Sequence, residues 1–148
     1  MSMSIQGMDS TLKLLEKLSD QGKVETIAKK AVEAAQPINE EAYRSALASA
    51  EAAEGWGGGI SGSVSSTPAR INERGAFAVA RPTGRSASGT RNGELAAYLE
   101  YGTPPHKWGH AEVSVGAHGF SSRAVHQAEQ QCVKTMEDIV RSEMECES

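Results

Sequence analysis

Aromatic side chains are scarce in this chain: two Trp, three Tyr and two Phe make up 5% of its 148 residues, within a hydrophobic fraction of 39%. Ala and Gly are abundant instead. Small residues make a thin core, so much of the stability of such a fold is expected to come from neighbouring subunits. The length fits one domain. Long apolar runs are missing as well, and none approaches the roughly 20 residues that a membrane-spanning helix needs. Cysteine is limited to Cys132 and Cys146, fourteen residues apart on one expected helix. Helical rise separates them by about 21 Å, too far for a disulfide within the chain. Free thiols fit synthesis in a reducing cytoplasm. Met1-Ser2-Met3-Ser4-Ile5 shows neither the charged nor the apolar region of a signal peptide.

The formal charge is −4, unevenly placed. Residues 1–54 hold six basic and nine acidic side chains, 55–123 seven and four, and 124–148 two and six, so the helical ends are acidic and the middle is basic. Within 81–93, Arg81, Arg85 and Arg91 stand among Gly, Ser and Thr without one acid. That composition predicts a mobile basic loop.

Hydrophobic spacing predicts a first helix from Asp9 or Ser10 to about Asp20, with Met8, Leu12, Leu15 and Leu18 on one stripe and Gly22 ending it. A second runs from Val24 to about Glu54, with Val24, Ile27, Ala31, Ala35, Ile38, Ala42 and Ala46 on a mostly small-residue face. Its pattern resumes through Tyr43 and Leu47, while Pro37 inside it is expected to kink or divide it. After a break at 55–59, Ile60, Gly62 and Val64 alternate like a strand. Asn72-Glu73-Arg74-Gly75 reads as a hairpin turn between Ala69-Arg70-Ile71 and Ala76-Phe77-Ala78-Val79-Ala80. Pro68 confines its strand to an edge or a start. Glu112-Val113-Ser114-Val115 is a further short alternation. A last helix from Ser121 or Ser122 to about Glu145 carries Val125, Ala128, Cys132, Met136, Ile139 and Val140 on one stripe, capped by Ser122. Its outer face, with Glu129, Glu137, Asp138 and Glu143, is acidic. The expected fold is α+β: amphipathic N-terminal helices and a long C-terminal helix packed on a small, mainly antiparallel sheet. The single domain divides into helical 1–54, β-rich 55–118 and helical 119–148.

The most informative local feature is a short helix, 92–101, that ends in Glu100-Tyr101-Gly102-Thr103 before Pro104-Pro105. Asn92 can cap it, and Leu95, Tyr98 and Leu99 give it an apolar face. Gly102 accepts a left-handed backbone, and the prolines stop the helix from resuming. Tyr98 with Glu100-Tyr101-Gly102-Thr103, followed by Gly119-Phe120 into Ala124-Val125, resembles the late segment of the tail-completion or head–tail joining proteins of long-tailed double-stranded DNA bacteriophages. That family typically has Pro where Gly119 stands, and here 104–118 is an insert between the two halves of the pattern.

The resemblance implies a non-enzymatic virion component of the phage neck: a ring, expected to be a hexamer, that completes the tail and joins it to the head around the DNA channel. Implied partners are other copies of the chain, an adjacent tail terminator or tail tube, and head-completion proteins, with no membrane and no cofactor. Tyr98, Tyr101 and Phe120 are the candidate anchors of the subunit contact, with Glu100 in the same segment and Gly102 and Thr103 fixing the backbone. Tyr98 and Phe120 could equally belong to the subunit's own core. Arg81, Arg85 and Arg91 could line the channel and touch DNA non-specifically, or grip an acidic neighbour. The alternative is a soluble regulatory or adaptor protein that binds a partner through its acidic C-terminal helix.

Other chemistries have weaker footing. Gly57-x-Gly59-x-x-Gly62 matches the dinucleotide fingerprint formally, but a helix precedes it and a strand is expected to follow, the reverse of the required order. Gly59-x-Ser61-Gly62-Ser63 misses a nucleophile elbow at its last position. His106, His110 and His118 with Glu112 form the one candidate zinc cluster, on which a metal-dependent hydrolase would have to be built. Exposed loop histidines are the simpler expectation. Trp56 and Trp108 could anchor a partner or plug the core. The basic segment has no aromatic, so it lacks a stacking platform for single strands.

Overall fold

A computed structural model describes residues 21–145 of the chain. The expected first helix, 9–20, and Cys146 lie outside the described residues. Four helices and six short strands follow in order: α1 (Gln21–Ala53), α2 (Gly59–Gly62), β1 (Val64–Ser66), β2 (Arg70–Asn72), β3 (Gly75–Phe77), β4 (Ala80–Pro82), α3 (Asn92–Tyr101), β5 (His106–Trp108), β6 (Ala111–Val113) and α4 (Phe120–Glu145). The fold is α+β, with all strand pairs antiparallel. In place of one sheet there are three separate two-stranded sheets, β1 with β4, β2 with β3 and β5 with β6.

Long α1 and α4 pack along each other and form the frame. Val24, Ile27, Ala31, Ala35 and Ala42 face Ala128, Cys132, Met136 and Val140 in one buried cluster, with Ile38 and Ile139 half-buried beside it. The small-residue stripe expected on α1 is the stripe that meets α4, and small side chains let two helices approach closely. On α4 the buried line runs Phe120, Ala124, Ala128, Cys132, Met136 and Val140. Val125, expected on it, is 38% exposed. Pro37 sits inside α1 without dividing it, and Gly22 lies within the helix. A mid-helix proline costs about 3 kcal/mol. Here the residues on both sides of it pack on the same partner helix, which holds the two halves in line.

A second cluster fills the space between α1, α3, α4 and the β1–β4 ladder, with Tyr43, Leu47, Ile60, Val64, Ala80, Leu99, Phe120 and Ala124 at its centre. Tyr43 and Phe120 meet edge to face, ring centroids 5.4 Å apart. The Tyr43 hydroxyl and Asn39 Oδ1 have no hydrogen-bond partner among the described residues. Burial, reinforced by the Glu100 carboxylate, pushes the Tyr43 phenol up to about 12.

The remaining face of α1 holds the strand region through Val32, buried with Ala69 and Ala78, and through polar contacts. Gln36 Nε2 donates to the Thr67 carbonyl. Glu40 accepts from Ser66 Oγ at 2.7 Å and pairs with Arg44 at 2.6 Å, while Arg44 donates to the Val64 carbonyl at 3.0 Å. The Ser66 hydroxyl, aided by Arg44 and opposed by burial, holds the Glu40 carboxyl below its ordinary value. Ladder β1–β4 is extended by Thr83 N–H to the Ser63 carbonyl and Thr67 N–H to the Val79 carbonyl. The expected strand through Ala80 is therefore two strands, β3 turning toward β2 and β4 toward β1. The hairpin at 72–75 forms as expected, with Asn72 Oδ1 accepting from Arg74 N–H at 2.8 Å in an Asx turn. Pro68 lies between strands.

Two substitutions separate packing from polarity in this core. Phe120→Ala is expected to cost about 3–5 kcal/mol in denaturant unfolding. Tyr43→Phe keeps the ring contact and removes an unpaired buried hydroxyl, so it is expected to leave the unfolding midpoint unchanged or raise it.

Candidate functional site

The segment 98–103 joins α3 to α4 through hydrogen bonds of its own chain. Glu100 is 8% exposed. Its carboxylate accepts from Ser121 Oγ at 2.6 Å and from Ser121 N–H at 3.1 Å, at the start of α4. A carboxylate there satisfies orphan donors and faces the positive end of the helix dipole. The carbonyls of Leu99 and Glu100, left over at the end of α3, accept from His118 and Gly119 N–H. One helix end thus completes the next. Ser121 is the receiver of a cap, and α4 starts at Phe120, two residues before Ser122, which lies inside the helix and is not its cap.

The residues offered as subunit anchors therefore divide. Phe120 is fully buried and Glu100 is engaged within the chain, so neither is free to meet a neighbour, a correction to the expected interface. Tyr98 is half-buried, its hydroxyl donating to Glu94 at 2.7 Å, which raises the phenol's pKa above its ordinary value. Tyr101 is 68% exposed, the most open large apolar side chain among the described residues. Gly102 has φ +75°. A Cβ there would stand 2.9 Å from the Val115 carbonyl and 3.0 Å from Ala117 N, so the expected demand for glycine is met by close backbone approach as well as by conformation. Thr103 grips Val115 twice: Thr103 N–H donates to the Val115 carbonyl, and Thr103 Oγ1 accepts from Val115 N–H, both at 2.9 Å.

From that clamp the insert projects as a hairpin. β5 and β6 pair as His106 with Val113, Lys107 with Glu112 and Trp108 with Ala111, around a two-residue turn in which Gly109 has φ +63°. Pro104, Pro105, His106, Lys107 and 109–114 are all exposed, with Val113 at 40%. Among the described residues, no other helix or strand makes an extensive contact with either strand. The expected strand 112–115 is thus shared: Val113 ends β6, and Val115 belongs to the clamp.

Below the clamp, His118 Nε2 donates to Glu54 Oε1 at 2.7 Å, and Gly116 N–H reaches the same oxygen at 3.2 Å. The His118 bond, aided by Gly116, holds the Glu54 carboxyl below its ordinary 4.5. His106 and His110 stay on the hairpin. No group of three His, Cys, Asp or Glu that could hold a metal forms among the described residues. The Gly-rich segment is equally unlike a phosphate cradle. Of the strand expected through Ile60, Gly62 and Val64, only Val64 lies in one; 59–62 is a single helical turn, and its Ile60 and Ser61 N–H groups donate to the Glu51 carboxylate at 2.9 and 3.1 Å. Glu51 is 1% exposed, so the chain supplies its own anion there. Trp56 packs half-buried against the central cluster.

The basic segment is ordered by hydrogen bonds where mobility was expected. Arg85 and Arg91 form an antiparallel bridge, Ser86 N–H donates to the Thr90 carbonyl, and Gly89 N–H to that of Ser86. Asn92, expected as the cap of α3, follows the N-cap Arg91 and is buried, with Nδ2 donating to the Thr83 carbonyl at 2.7 Å and N–H to that of Gly84. It pins the loop to the helix. Arg81, Arg85 and Arg91 line one open groove of about 770 Å3, with Val79, Pro82, Thr83, Gly84, Gly93 and Glu94 completing its walls.

Sequence reasoning missed Glu51 and Glu54, although a signal existed. Glu51 stands on the apolar line of Tyr43 and Leu47 at i+4, and a lone acid on such a line has a buried partner to find.

With the geometry in view, the class is an α+β domain with a helix-pair frame and a projecting β-hairpin. No protein-family model matches the chain, and neither the curated proteins nor the solved structures contain a match to it. No helix among the described residues is long and apolar enough to cross a membrane.

Glu100→Ala leaves the Ser121 donors without their acceptor and is expected to cost about 1–3 kcal/mol, read as a lower denaturant midpoint. Glu54 has a depressed folded pKa, so its contribution is present above 4.5 and disappears as pH falls through the folded value. Glu54→Gln is therefore expected to be less stable than the parent near neutral pH, and the two melting curves are expected to merge in acid.

Proposed function

We propose that this protein is a structural component of a phage neck, forming a ring that completes the tail and joins it to the head around the DNA path. The observation that carries the reading is the hairpin at 106–113, which makes no extensive contact with any other element among the described residues. A lone two-stranded hairpin is marginal in water, and both of its edges are open to pairing. Held at its base by Thr103 and Val115, it is an element suited to lie on a neighbour. Tyr101 stands exposed at the same base, and a large aromatic is a good anchor for such a contact. A heterologous contact of this kind, repeated about an axis, closes into a ring. The resemblance of Tyr98 to Thr103 and Gly119-Phe120 to the joining family supports the location. The insert that separates the two halves of that pattern is the hairpin itself.

The adaptor alternative depends on the outer face of α4, since the apolar face of that helix is covered by α1. On that outer face Glu143 already pairs with Lys30 at 3.1 Å. No observation favours this reading over the ring.

Solution mass, measured alone and with neck components, tests the proposal. A closed oligomer is expected, either by itself or on its partner ring. The double substitution Tyr101→Ala with Val113→Asp is expected to weaken assembly at least about tenfold, the size of losing one anchor worth about 1.4 kcal/mol, with an unchanged monomer melt. Particles made without the protein should show heads and tails unjoined. Fully infectious particles lacking it would end the reading.

A further inference from the structure

We infer that the groove lined by Arg81, Arg85 and Arg91 is a binding site for the phosphate backbone of nucleic acid, engaged without regard to base sequence. The inference rests on the neck reading only in taking the polymer to be double-stranded DNA.

The fold brings together charges that it does not neutralise. On β4, Ala80 and Pro82 point inward and Arg81 outward. Arg85 and Arg91 stand directly opposite each other across a bridge, an arrangement that destabilises a ladder when the charges are alike. No ion pair involves any of the three among the described residues; Arg85 Nη1 donates to the Gly89 carbonyl at 2.7 Å. The groove's one acid, Glu94, already accepts the Tyr98 hydroxyl. Three positive charges therefore face one negative charge in a chain whose overall charge is −4. A local excess of this kind, placed on a hydrogen-bonded scaffold, is matched by an anion from outside.

The lining selects among anions. Guanidinium groups make bidentate bonds to phosphate and carboxylate alike. Beside the groove, between Arg85 and Arg91 on the same loop, stands a run of hydroxyls outside the lining itself, Ser86 to Ser88 at 2.8 Å and Ser88 to Thr90 at 3.4 Å. Arg with Ser and Thr is the donor set that backbone phosphates receive. The groove contains no aromatic on which a base could stack, and the Asn92 amide, which could have read a base edge, is committed to the Thr83 carbonyl. Contact is thus confined to phosphates, which suits a duplex that must slide past the protein.

Fluorescence anisotropy of the purified full chain with unrelated duplex oligonucleotides, between about 50 and 200 mM salt, tests this. The expected result is similar affinity for every sequence and a steep salt dependence. In the triple variant Arg81→Ala, Arg85→Ala, Arg91→Ala the slope of log K against log salt should fall by about 2.7, three contacts at about 0.9 each, while the triple Arg→Lys variant should retain it. An unchanged thermal melt shows that the fold is intact in both. An unchanged slope in the Ala variant overturns the inference. So does displacement of bound DNA by an unrelated sequence only when that sequence carries particular bases, and so does binding of poly-glutamate without binding of duplex, which would make the partner an acidic protein. Each of these results leaves the particle-joining test untouched, so groove and ring can fail separately.

Discussion

Close contact between α1 and α4 is the constraint from which the rest of the structure hangs. Ala31, Ala35 and Ala42 on one helix and Ala128 and Cys132 on the other are small enough for the backbones to approach, and the Cys132 thiol reaches the Ala35 carbonyl at 3.8 Å. Dispersion between many atoms at short range replaces the bulky side chains that the composition lacks. Once the pair is set, the opposite face of α1 can hold β1, and the start of α4 can receive the end of α3. The surface ion pair between Lys30 and Glu143 adds little, as exposed pairs generally do.

A thin apolar core is supplemented by carboxylates placed on backbone donors. Glu51 closes the turn at 59–62, Glu54 holds 116–118 and Glu100 starts α4. Glu54 and Glu100 tie segments well separated in sequence while Glu51 closes a local turn, and each bond is charge-assisted and so stronger than its neutral counterpart. Such contacts also specify geometry, because a carboxylate accepts only from donors aimed at it. This accounts for a loop-rich middle that is nevertheless fixed in place between two helices.

The helices α1, α3 and α4 and the class of fold were legible because their signal is local: the small-residue stripe on α1 and the line through Ala128, Cys132 and Met136 repeat at helical spacing. The turn at 72–75 was legible for the same reason, since Asn72 and Gly75 supply what a tight turn needs. Tertiary bonds were not. Nothing adjacent to Glu100 marks Ser121 as its partner, and the alternation of Ile60, Gly62 and Val64 imitates a strand while Glu51 draws the same residues into a helical turn. Of the candidate site, the backbone demand at Gly102 was legible, whereas motif alone left Phe120 open between subunit contact and core, and packing puts it in the core. The arginines were found by composition, but their convergence depends on a bridge and an asparagine that composition does not reveal.

The helix-pair frame has a bearing on how the chain is born. Ala35 and Cys132 are 97 positions apart, so the inner face of α1 leaves the ribosome long before its cover does. Closing so long a loop adds only modestly to its entropic cost, but contacts of such separation form late. During that interval Val24, Ile27 and the alanines between them and Tyr43 stand bare, and the nascent polypeptide is a natural client for a chaperone until α4 emerges.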